Sequence, residues 1–388
     1  MRNPDRREFL RRIGVGGLAA AATLTPFGRI ATSQVRRDLD RWPEAAARDW
    51  GGCQLWLIGA NYVPASAVNS LEMWQAGTFD PDRIDTEFGW AADLGMNAMR
   101  VFLHDLLWLQ DPSGFLARIE AYLAIAEKHG VRTQFVLFDS CWDPFPHLGP
   151  QGPPTPGVHN SRWVQAPGIR ALGDPGQRPR LEAYVTGVVG ALRDDPRVLS
   201  WDVWNEPDNP NIVAYRSPEP PNEEHVLALL PYAFDWVRKA DPVQPLTSAP
   251  WIGDWSTDAE LTPIGRIQLT RSDIISFHNY SPPAEFEARI QQLRRFDRPL
   301  LCTEYLARPL GNTIESILPI AKREGVGMFN WGLVAGRSQT FLPWDSWESP
   351  YVGIEPPLWL HDIFYADGRP YRPAEAQLIR DLTGRNRQ

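Results

Sequence analysis

The 388-residue chain contains only three cysteines, and it has no histidine pair or His-Glu-x-x-His run at the spacing of a metal site. An odd cysteine count excludes a framework of disulfide bonds as the basis of the fold. Because neither cysteines nor histidines are spaced as zinc ligands, we expect no bound metal, and no other cofactor is expected. Any chemistry is therefore expected from the side chains themselves.

The sequence also lacks the patterns of three other functional classes. The formal net charge is -8, without a basic stripe beyond the N-terminal region, which argues against a nucleic-acid partner. The glycine-rich run 14–17 precedes the first predicted strand, so it does not form the phosphate-binding turn of an open doubly wound sheet. No Gly-x-Ser-x-Gly run supports a serine hydrolase.

The N-terminus has the pattern of a targeting segment. Residues 5–11, Asp-Arg-Arg-Glu-Phe-Leu-Arg, precede an apolar run from Ile13 to Leu24. This arrangement resembles a twin-arginine export signal, and the apolar run is too short to span a bilayer. We therefore predict that residues 1–35 are an export signal and leader, and that the rest of the protein is periplasmic or extracellular, without stable membrane insertion. A basic amphipathic helix packed on the domain is the alternative.

Beyond the leader, short apolar strands alternate with longer amphipathic helices. The predicted strands are Leu55 to Asn61, Ala98 to Phe102, Arg132 to Phe138, Leu199 to Trp204, Pro245 to Ser248, Ile274 to His278, Leu300 to Glu304, and Gly327 to Trp331. Such short apolar runs are typical of parallel strands that are buried on both faces. The pattern predicts an α/β fold, a (β/α)8 TIM barrel, in which residues 36–388 form a single domain that is expected to be a monomer.

Two long segments interrupt the alternation of strands and helices. Residues 140–180 are rich in proline and glycine and follow the third strand, and residues 335–360 follow the eighth strand and contain Trp344, Trp347 and Trp359. Segments this long between barrel elements are typical of binding loops. The chain has 17 tryptophans, more than packing needs, so some rings are expected to bind a ligand with apolar faces, such as a sugar. Packing within the loops is the alternative for each of these three rings.

Two glutamates end predicted strands. Glu206 follows the fourth strand, and Glu304 ends the seventh. Because these strands face each other across the barrel mouth, the two carboxyl groups can flank one glycosidic bond. In retaining glycosidases one carboxyl protonates the leaving oxygen while the other attacks the anomeric carbon. A solvated or salt-bridged residue at a strand end is the alternative for each glutamate alone.

The residues around these glutamates resemble the motifs of glycoside hydrolase family 5, the cellulase-like family of retaining (β/α)8 enzymes. Trp204-Asn205-Glu206-Pro207 is similar to the acid/base motif, and Thr303-Glu304-Tyr305 is similar to the nucleophile strand. The resemblance covers nearly all of the chain beyond the leader. It implies that Glu206 is the general acid/base and Glu304 the nucleophile, with Asn205 bound to the sugar 2-hydroxyl.

Further positions carry the same resemblance on other strands. Arg100 matches the second-strand arginine that orients the nucleophile and keeps it ionised. His278-Asn279-Tyr280 resembles a sixth-strand pair whose tyrosine, Tyr280 here, contacts the nucleophile, and Trp331 resembles the tryptophan that floors the central sugar site. Asn61, at the end of the first strand, and Trp344 complete the expected substrate-binding set.

The sequence departs from the family at the end of the third strand. Phe138-Asp139-Ser140-Cys141-Trp142 offers no histidine where family members commonly carry one. We expect Asp139 or His104 to contact the sugar in its place, with a capping or core histidine as the alternative for His104. Cys141 is expected to be a buried, inert thiol without a role.

The resemblance implies a retaining β-glycoside hydrolase, with an endo-β-1,4-glucanase acting like a cellulase as the default. An exo-acting β-glycosidase, a β-mannanase and a xylanase on the same scaffold remain alternatives, as does a transglycosylase that uses the same residues. A non-catalytic glycan-binding barrel is the rival from another functional class. In each case the partner is a glycan or a β-glycoside.

Overall fold

A computed structural model describes residues 41–211 and 223–385 of the protein. The predicted export signal, residues 1–35, lies outside the described residues. Within these ranges, no helix combines the length and the apolar character that crossing a bilayer requires.

The described residues form one sheet of eight parallel strands. The strands are β1 (Ile58–Asn61), β2 (Ala98–Phe102), β3 (Arg132–Asp139), β4 (Val198–Asn205), β5 (Leu246–Thr247), β6 (Ile275–His278), β7 (Leu300–Tyr305) and β8 (Gly327–Trp331). Their order in the sheet is β5-β4-β3-β2-β1-β8-β7-β6, so β1 pairs with β8. All eight predicted strands are confirmed, and β1 begins at Ile58 rather than Leu55.

The two edge strands, β5 and β6, meet and nearly close the barrel. Thr247 Oγ1 and Ser276 Oγ lie 2.7 Å apart, and the Ser276 backbone N–H donates to Thr247 Oγ1 over 3.0 Å. Nearby, the Asp273 N–H donates to the Leu246 carbonyl over 2.8 Å. Side-chain hydroxyls thus join the seam between these two strands, and the (β/α)8 barrel is confirmed.

Helices surround the sheet. They are α1 (Glu44–Gly52), α2 (Ser70–Trp74), α3 (Pro81–Asp93), α4 (Asp105–Gln110), α5 (Pro112–Lys128), α6 (Ile169–Leu172), α7 (Arg178–Leu192), α8 (Glu223–Lys239), α9 (Pro263–Arg271), α10 (Pro283–Arg294), α11 (Ile314–Glu324) and α12 (Pro373–Thr383). Their ends follow local capping rules. In α3, for example, Asp80 caps the Arg83 N–H and Pro81 takes the first position, whereas α11 ends at Gly325 with a φ of 65°.

Among the described residues, apolar packing closes the amino end of the barrel. A large apolar cluster fills the space between the strands and the helices. A smaller cluster of Leu57, Ala98, Leu199, Ile274, Leu301 and Phe329 plugs the barrel at the amino ends of its strands. Since the amino end is packed with apolar side chains, the open end of the barrel is at the carboxyl ends of the strands, where active sites lie in this fold.

Candidate active site

Glu206 and Glu304 lie together at the carboxyl ends of β4 and β7, as their positions in the sequence predict. Their side chains are almost buried, with 6% and 5% of each residue exposed. One carboxylate oxygen from each glutamate and one ring nitrogen of His278 all lie within 4.8 Å of one another. The glutamates are therefore near the spacing of about 5 Å at which one carboxylate attacks while the other protonates, without room for a water between them.

Arg100 on β2 holds Glu304 in place. Its Nη1 donates to Glu304 Oε1 over 3.0 Å, while the Tyr280 hydroxyl donates to Glu304 Oε2 over 2.8 Å. Arg100 is fully buried, and Asp202 on β4 accepts from its Nε and Nη2 over 3.0 and 2.8 Å. Both of these bonds end on Asp202 Oδ2, and two donors held by one oxygen restrict the plane of the guanidinium and therefore the direction in which it meets Glu304.

Two asparagines complete the shell around Arg100. Asn61 Oδ1 accepts from Arg100 Nη1 and Asn205 Oδ1 accepts from Arg100 Nη2, each over 2.7 Å. Asn205 also donates to Asp139 Oδ1 over 2.9 Å. The sequence places these residues at the ends of neighbouring strands, so one arginine joins β1, β2, β4 and β7 at the barrel mouth.

The partners of Glu206 differ from those of Glu304. His278 Nδ1 lies 2.7 Å from Glu206 Oε1, whereas Oε2 accepts from Asn209 Nδ2 over 2.6 Å and from the Cys141 thiol over 3.3 Å. Glu206 itself has a φ of 41°, in the left-handed region that few non-glycine residues adopt. Strain of this kind concentrates at functional sites, and here it falls on the predicted acid/base residue.

The charges around the two glutamates favour a proton on Glu206. Burial raises the pKa of both carboxyl groups and the Arg100 guanidinium lowers both, but of the two glutamates it is Glu304 that forms a hydrogen-bonded ion pair with Arg100. Burial lowers the pKa of His278 to about 3, so its imidazole is neutral at ordinary pH. The groups that touch Glu206 are thus uncharged, and the negative charge is better stabilised on Glu304.

A cavity of about 310 Å³ opens above the two glutamates. Aromatic rings form much of its wall, from Trp142, Trp251, Tyr280, Trp331 and Trp344. Its polar lining includes Asn205 and Asn209 beside the two glutamates. Broad apolar rings with a few convergent polar groups suit a sugar, which presents an apolar face and a rim of hydroxyls.

The two long loops, residues 140–180 and 335–360, meet beside this cavity. The His159 N–H donates to Ser346 Oγ over 2.9 Å, and the Tyr351 N–H donates to the Gly157 carbonyl over 2.9 Å. The rings of Trp142 and Trp347 stack with their centroids 6.0 Å apart. The loops therefore form one continuous wall on this side of the barrel mouth.

No protein-family model matches this sequence, and no curated protein matches it either. Solved structures match in fold. The exo-β-1,4-mannosidase Op5Man5 from Opitutaceae bacterium strain TAV5 superimposes with a TM-score of 0.56 at 18% identity, over 86% of this chain and 60% of that chain. This chain thus spans less than two thirds of that relative.

Two further structures span more of their own length. An endo-β-1,4-mannanase from Thermotoga petrophila matches with a TM-score of 0.54 at 14% identity, over 86% of this chain and 77% of that chain. A GH5_18 protein from Streptomyces cattleya, in complex with Manβ1-4GlcNAc, matches with a TM-score of 0.55 at 16% identity, over 84% and 80%. The chain has the fold of family 5 glycoside hydrolases.

Within this fold, most of the predicted site residues come together. Glu206, Glu304, Asn205, Tyr280, Trp331 and Trp344 line the cavity. Arg100 and His278 are buried just behind it, in contact with the glutamates.

Three predicted substrate-binding residues lie outside the lining of this cavity. His104 is fully buried and caps α4, where its Nδ1 accepts from the Leu106 N–H over 3.2 Å. Asp139 is buried and accepts from Trp163 Nε1 over 2.6 Å and from Asn205. Asn61 contacts Arg100 rather than the cavity described above. The placement of His104 matches the alternative of a capping histidine, and Asp139 and Asn61 position other residues.

The sequence reasoning missed several residues that line the cavity. Asn209 and Trp251 follow β4 and β5, and His159 and His361 come from or directly follow the two long loops. Cys141, which the sequence left without a role, contacts Glu206 directly. The position of Asn209, three residues beyond the predicted acid/base, could have indicated that it lies near the site. The two histidines belong to segments whose path no local sequence pattern predicts.

Proposed function

We propose that this protein is a retaining β-glycoside hydrolase in which Glu304 is the nucleophile and Glu206 the general acid/base. The observation that carries this proposal is the close approach of two buried glutamates in different surroundings. Of these two, Glu304 accepts a hydrogen bond from the Arg100 guanidinium, and Glu206 does not. Two carboxyl groups in unequal electrostatic surroundings can take the two roles that the reaction needs.

The first step breaks the glycosidic bond. Glu304 attacks the anomeric carbon with an oxygen lone pair, while Glu206 gives its proton to the leaving oxygen, so a covalent glycosyl-enzyme forms and the aglycone alcohol departs. Arg100 and Tyr280 donate hydrogen bonds to Glu304 and aim its carboxylate. Because they also stabilise its charge, they favour its departure in the second step.

The second step restores the enzyme. Glu206, now ionised, takes a proton from a water molecule that attacks the anomeric carbon, and the bond to Glu304 breaks. Two inversions at the same carbon retain the β-configuration. His278, Asn209 and Cys141 all contact Glu206, so they hold its carboxyl group in position through both proton transfers.

We infer a β-mannoside as the substrate, ahead of the β-1,4-glucan that the family resemblance makes the default. The similar solved structures support this choice, since Op5Man5 is described as an exo-β-1,4-mannosidase and the Thermotoga petrophila protein as an endo-β-1,4-mannanase. A cavity of about 310 Å³ is near the lower end of the ~300–1,000 Å³ usual for ligand sites, and the joined loops wall one side of it. These features favour action at a chain end or on a short glycan. Export by the twin-arginine route remains a proposal that rests on residues 5–24.

The test is product release from β-mannan, β-glucan, xylan and aryl β-glycosides by the wild type, Glu304→Gln and the surface control Glu315→Gln. We expect release from a β-mannoside, β-configured product by NMR immediately after cleavage, and a loss of about a thousand-fold or more only in Glu304→Gln. Transfer to added sugar instead of water would identify a transglycosylase. No release by the wild type from any substrate, or full activity in Glu304→Gln, would overturn the proposal.

A further inference from the structure

His361 lies where the loop after β8 returns to the barrel, and it lines the cavity above the glutamates. Its ring is fully buried. Nδ1 is at hydrogen-bond distance from the Leu306 carbonyl oxygen, and because a carbonyl only accepts, Nδ1 carries the hydrogen. Burial lowers the pKa of His361 well below its usual value, so the ring stays neutral and Nε2 keeps a free lone pair.

Nε2 of His361 has no hydrogen-bond partner among the described residues. The rings of His159, Tyr280 and Trp344 surround the imidazole, with their centroids 5.5, 5.6 and 5.7 Å from the centroid of the His361 ring. The Tyr280 hydroxyl donates its hydrogen to Glu304, and His159 Nδ1 is 2.8 Å from the Leu342 carbonyl, to which it donates. These two neighbours therefore have their hydrogens committed elsewhere, and a buried acceptor without a donor costs free energy.

A bound sugar can supply the missing donor. Tyr280 contacts Glu304 through its hydroxyl and His361 through its ring, so His361 lies on the same side of the cavity as the nucleophile. The ring nearest to Nε2 is consequently the sugar whose anomeric carbon faces Glu304. The hydroxyls of this sugar can donate a hydrogen bond to His361 Nε2. An anionic substituent such as a carboxylate has no hydrogen to donate and would be repelled by the Nε2 lone pair.

We propose that His361 accepts a hydrogen bond from one hydroxyl of that sugar and thereby selects rings that carry a free hydroxyl at this position. This inference rests on the proposed function. Residues 138–142 lack the third-strand histidine that commonly contacts the sugar in the family. The inference gives that contact to His361, which follows the loop after β8. His361 is then a specificity-determining residue outside the strands of the barrel.

The test compares the aryl β-glycoside that the wild type cleaves best with its monodeoxy forms. We expect one deoxy position to lower wild-type kcat/KM by about ten-fold or more, as the loss of a hydrogen bond to a buried acceptor implies. His361→Phe, which keeps a ring but no nitrogen, should lower kcat/KM for the parent glycoside. In this variant the parent glycoside and that deoxy form should be cleaved with similar kcat/KM. His361→Gln retains an acceptor and should keep part of the penalty, while the exposed control His225→Phe should match the wild type.

If removal of that hydroxyl lowers kcat/KM by the same factor in His361→Phe and in the wild type, the inference is wrong, because the hydroxyl would then bind elsewhere. A purely structural role for His361 would lower activity on all sugars alike. Binding gives an independent readout: in Glu304→Gln, titration with mannobiose should shift the ¹⁵N resonance of His361 Nε2. If the wild type cleaves nothing but this resonance shifts, only the proposed function fails, and if neither occurs the inference fails too.

Discussion

Arg100 lies between two carboxylates, with Nη1 3.0 Å from Glu304 Oε1 and Nη2 2.8 Å from Asp202 Oδ2. Burial raises the pKa of Asp202 to about 6, against the lowering effect of Arg100. The arginine thus connects the predicted nucleophile to a second buried acid that does not line the cavity. An ionised Asp202 offsets part of the positive charge of Arg100, so Arg100 stabilises the Glu304 carboxylate more strongly when Asp202 is protonated.

Arg100→Lys should keep a charge but lose the planar set of donors with which Arg100 contacts Glu304, Asp202, Asn61 and Asn205 at once. We expect kcat/KM to fall by about 10²–10³-fold, the usual cost of one misplaced donor at a reacting anion. Steady-state kinetics measure the effect, with urea unfolding to show that the variant folds. The exposed Arg369→Lys is the control, and equal kinetics in both variants would contradict the role of Arg100.

Asn209→Ala should move the alkaline limb of the kcat/KM pH profile upward. Asn209 donates to Glu206 over 2.6 Å and stabilises its ionised form, so its removal raises the pKa of Glu206 and the acid stays protonated to higher pH. Cys141→Ala should shift the limb in the same direction by less, because the thiol is a weaker donor at 3.3 Å. Profiles that do not move, or that move downward, would show that neither residue tunes Glu206.

Gln339 joins the two long loops, and its loss should separate them. Its Nε2 donates to the Thr155 and Val158 carbonyls over 2.8 and 3.0 Å, and its Oε1 accepts from the Gly157 N–H over 3.1 Å. In Gln339→Ala we expect faster cleavage of residues 140–180 by a protease and a KM raised by several-fold, with kcat less affected. Gln377→Ala on α12 is the matched control. Proteolysis at the wild-type rate would mean that other contacts hold the loops together.

Asp362 should make the protein less stable as pH rises. Burial raises its pKa to about 7 from 3.8, although Thr340 donates a hydrogen bond to it over 2.8 Å. Between these two values the folded protein keeps a proton that the unfolded chain has lost, so the free energy of unfolding decreases with rising pH in this window.

Asp362→Asn removes that titration. Its free energy of unfolding, relative to the wild type, should therefore increase from pH 4 to pH 7, at about 1.4 kcal/mol for each pKa unit as an upper bound. Urea unfolding across this pH range provides the measurement. A difference between the two proteins that stays constant with pH would show that Asp362 is ionised in the folded state at all these values.

The strands and the glutamates were predictable because their signals are local. A strand buried on both faces requires a short apolar run, and the residue that follows it must lie at the barrel mouth, which places Glu206, Glu304 and Tyr280 correctly. The contacts within the site were less accessible. Nothing near Asp139 in the sequence indicates that its carboxylate turns away from the cavity to meet Trp163.

The walls of the cavity depend on contacts between distant parts of the chain. Residues 157–159 meet residues 339–351 only after the barrel brings β3 and β8 to the same rim. Because these contacts involve backbone groups and irregular loops, no periodicity predicts them. His361 therefore had no signal in the sequence apart from its place just beyond a tryptophan-rich loop.

The seam between β5 and β6 gives the glutamate–histidine contact a second consequence. Glu206 follows β4 and His278 ends β6, so their 2.7 Å contact crosses the junction between β5 and β6, where side-chain hydroxyls and isolated backbone hydrogen bonds take the place of a continuous backbone ladder. The predicted acid/base and its imidazole partner thus also link the two sides of this junction. Local opening of this junction would separate the acid from its imidazole partner, so amide hydrogen exchange at β5 and β6 should slow when a ligand locks Glu206 in place.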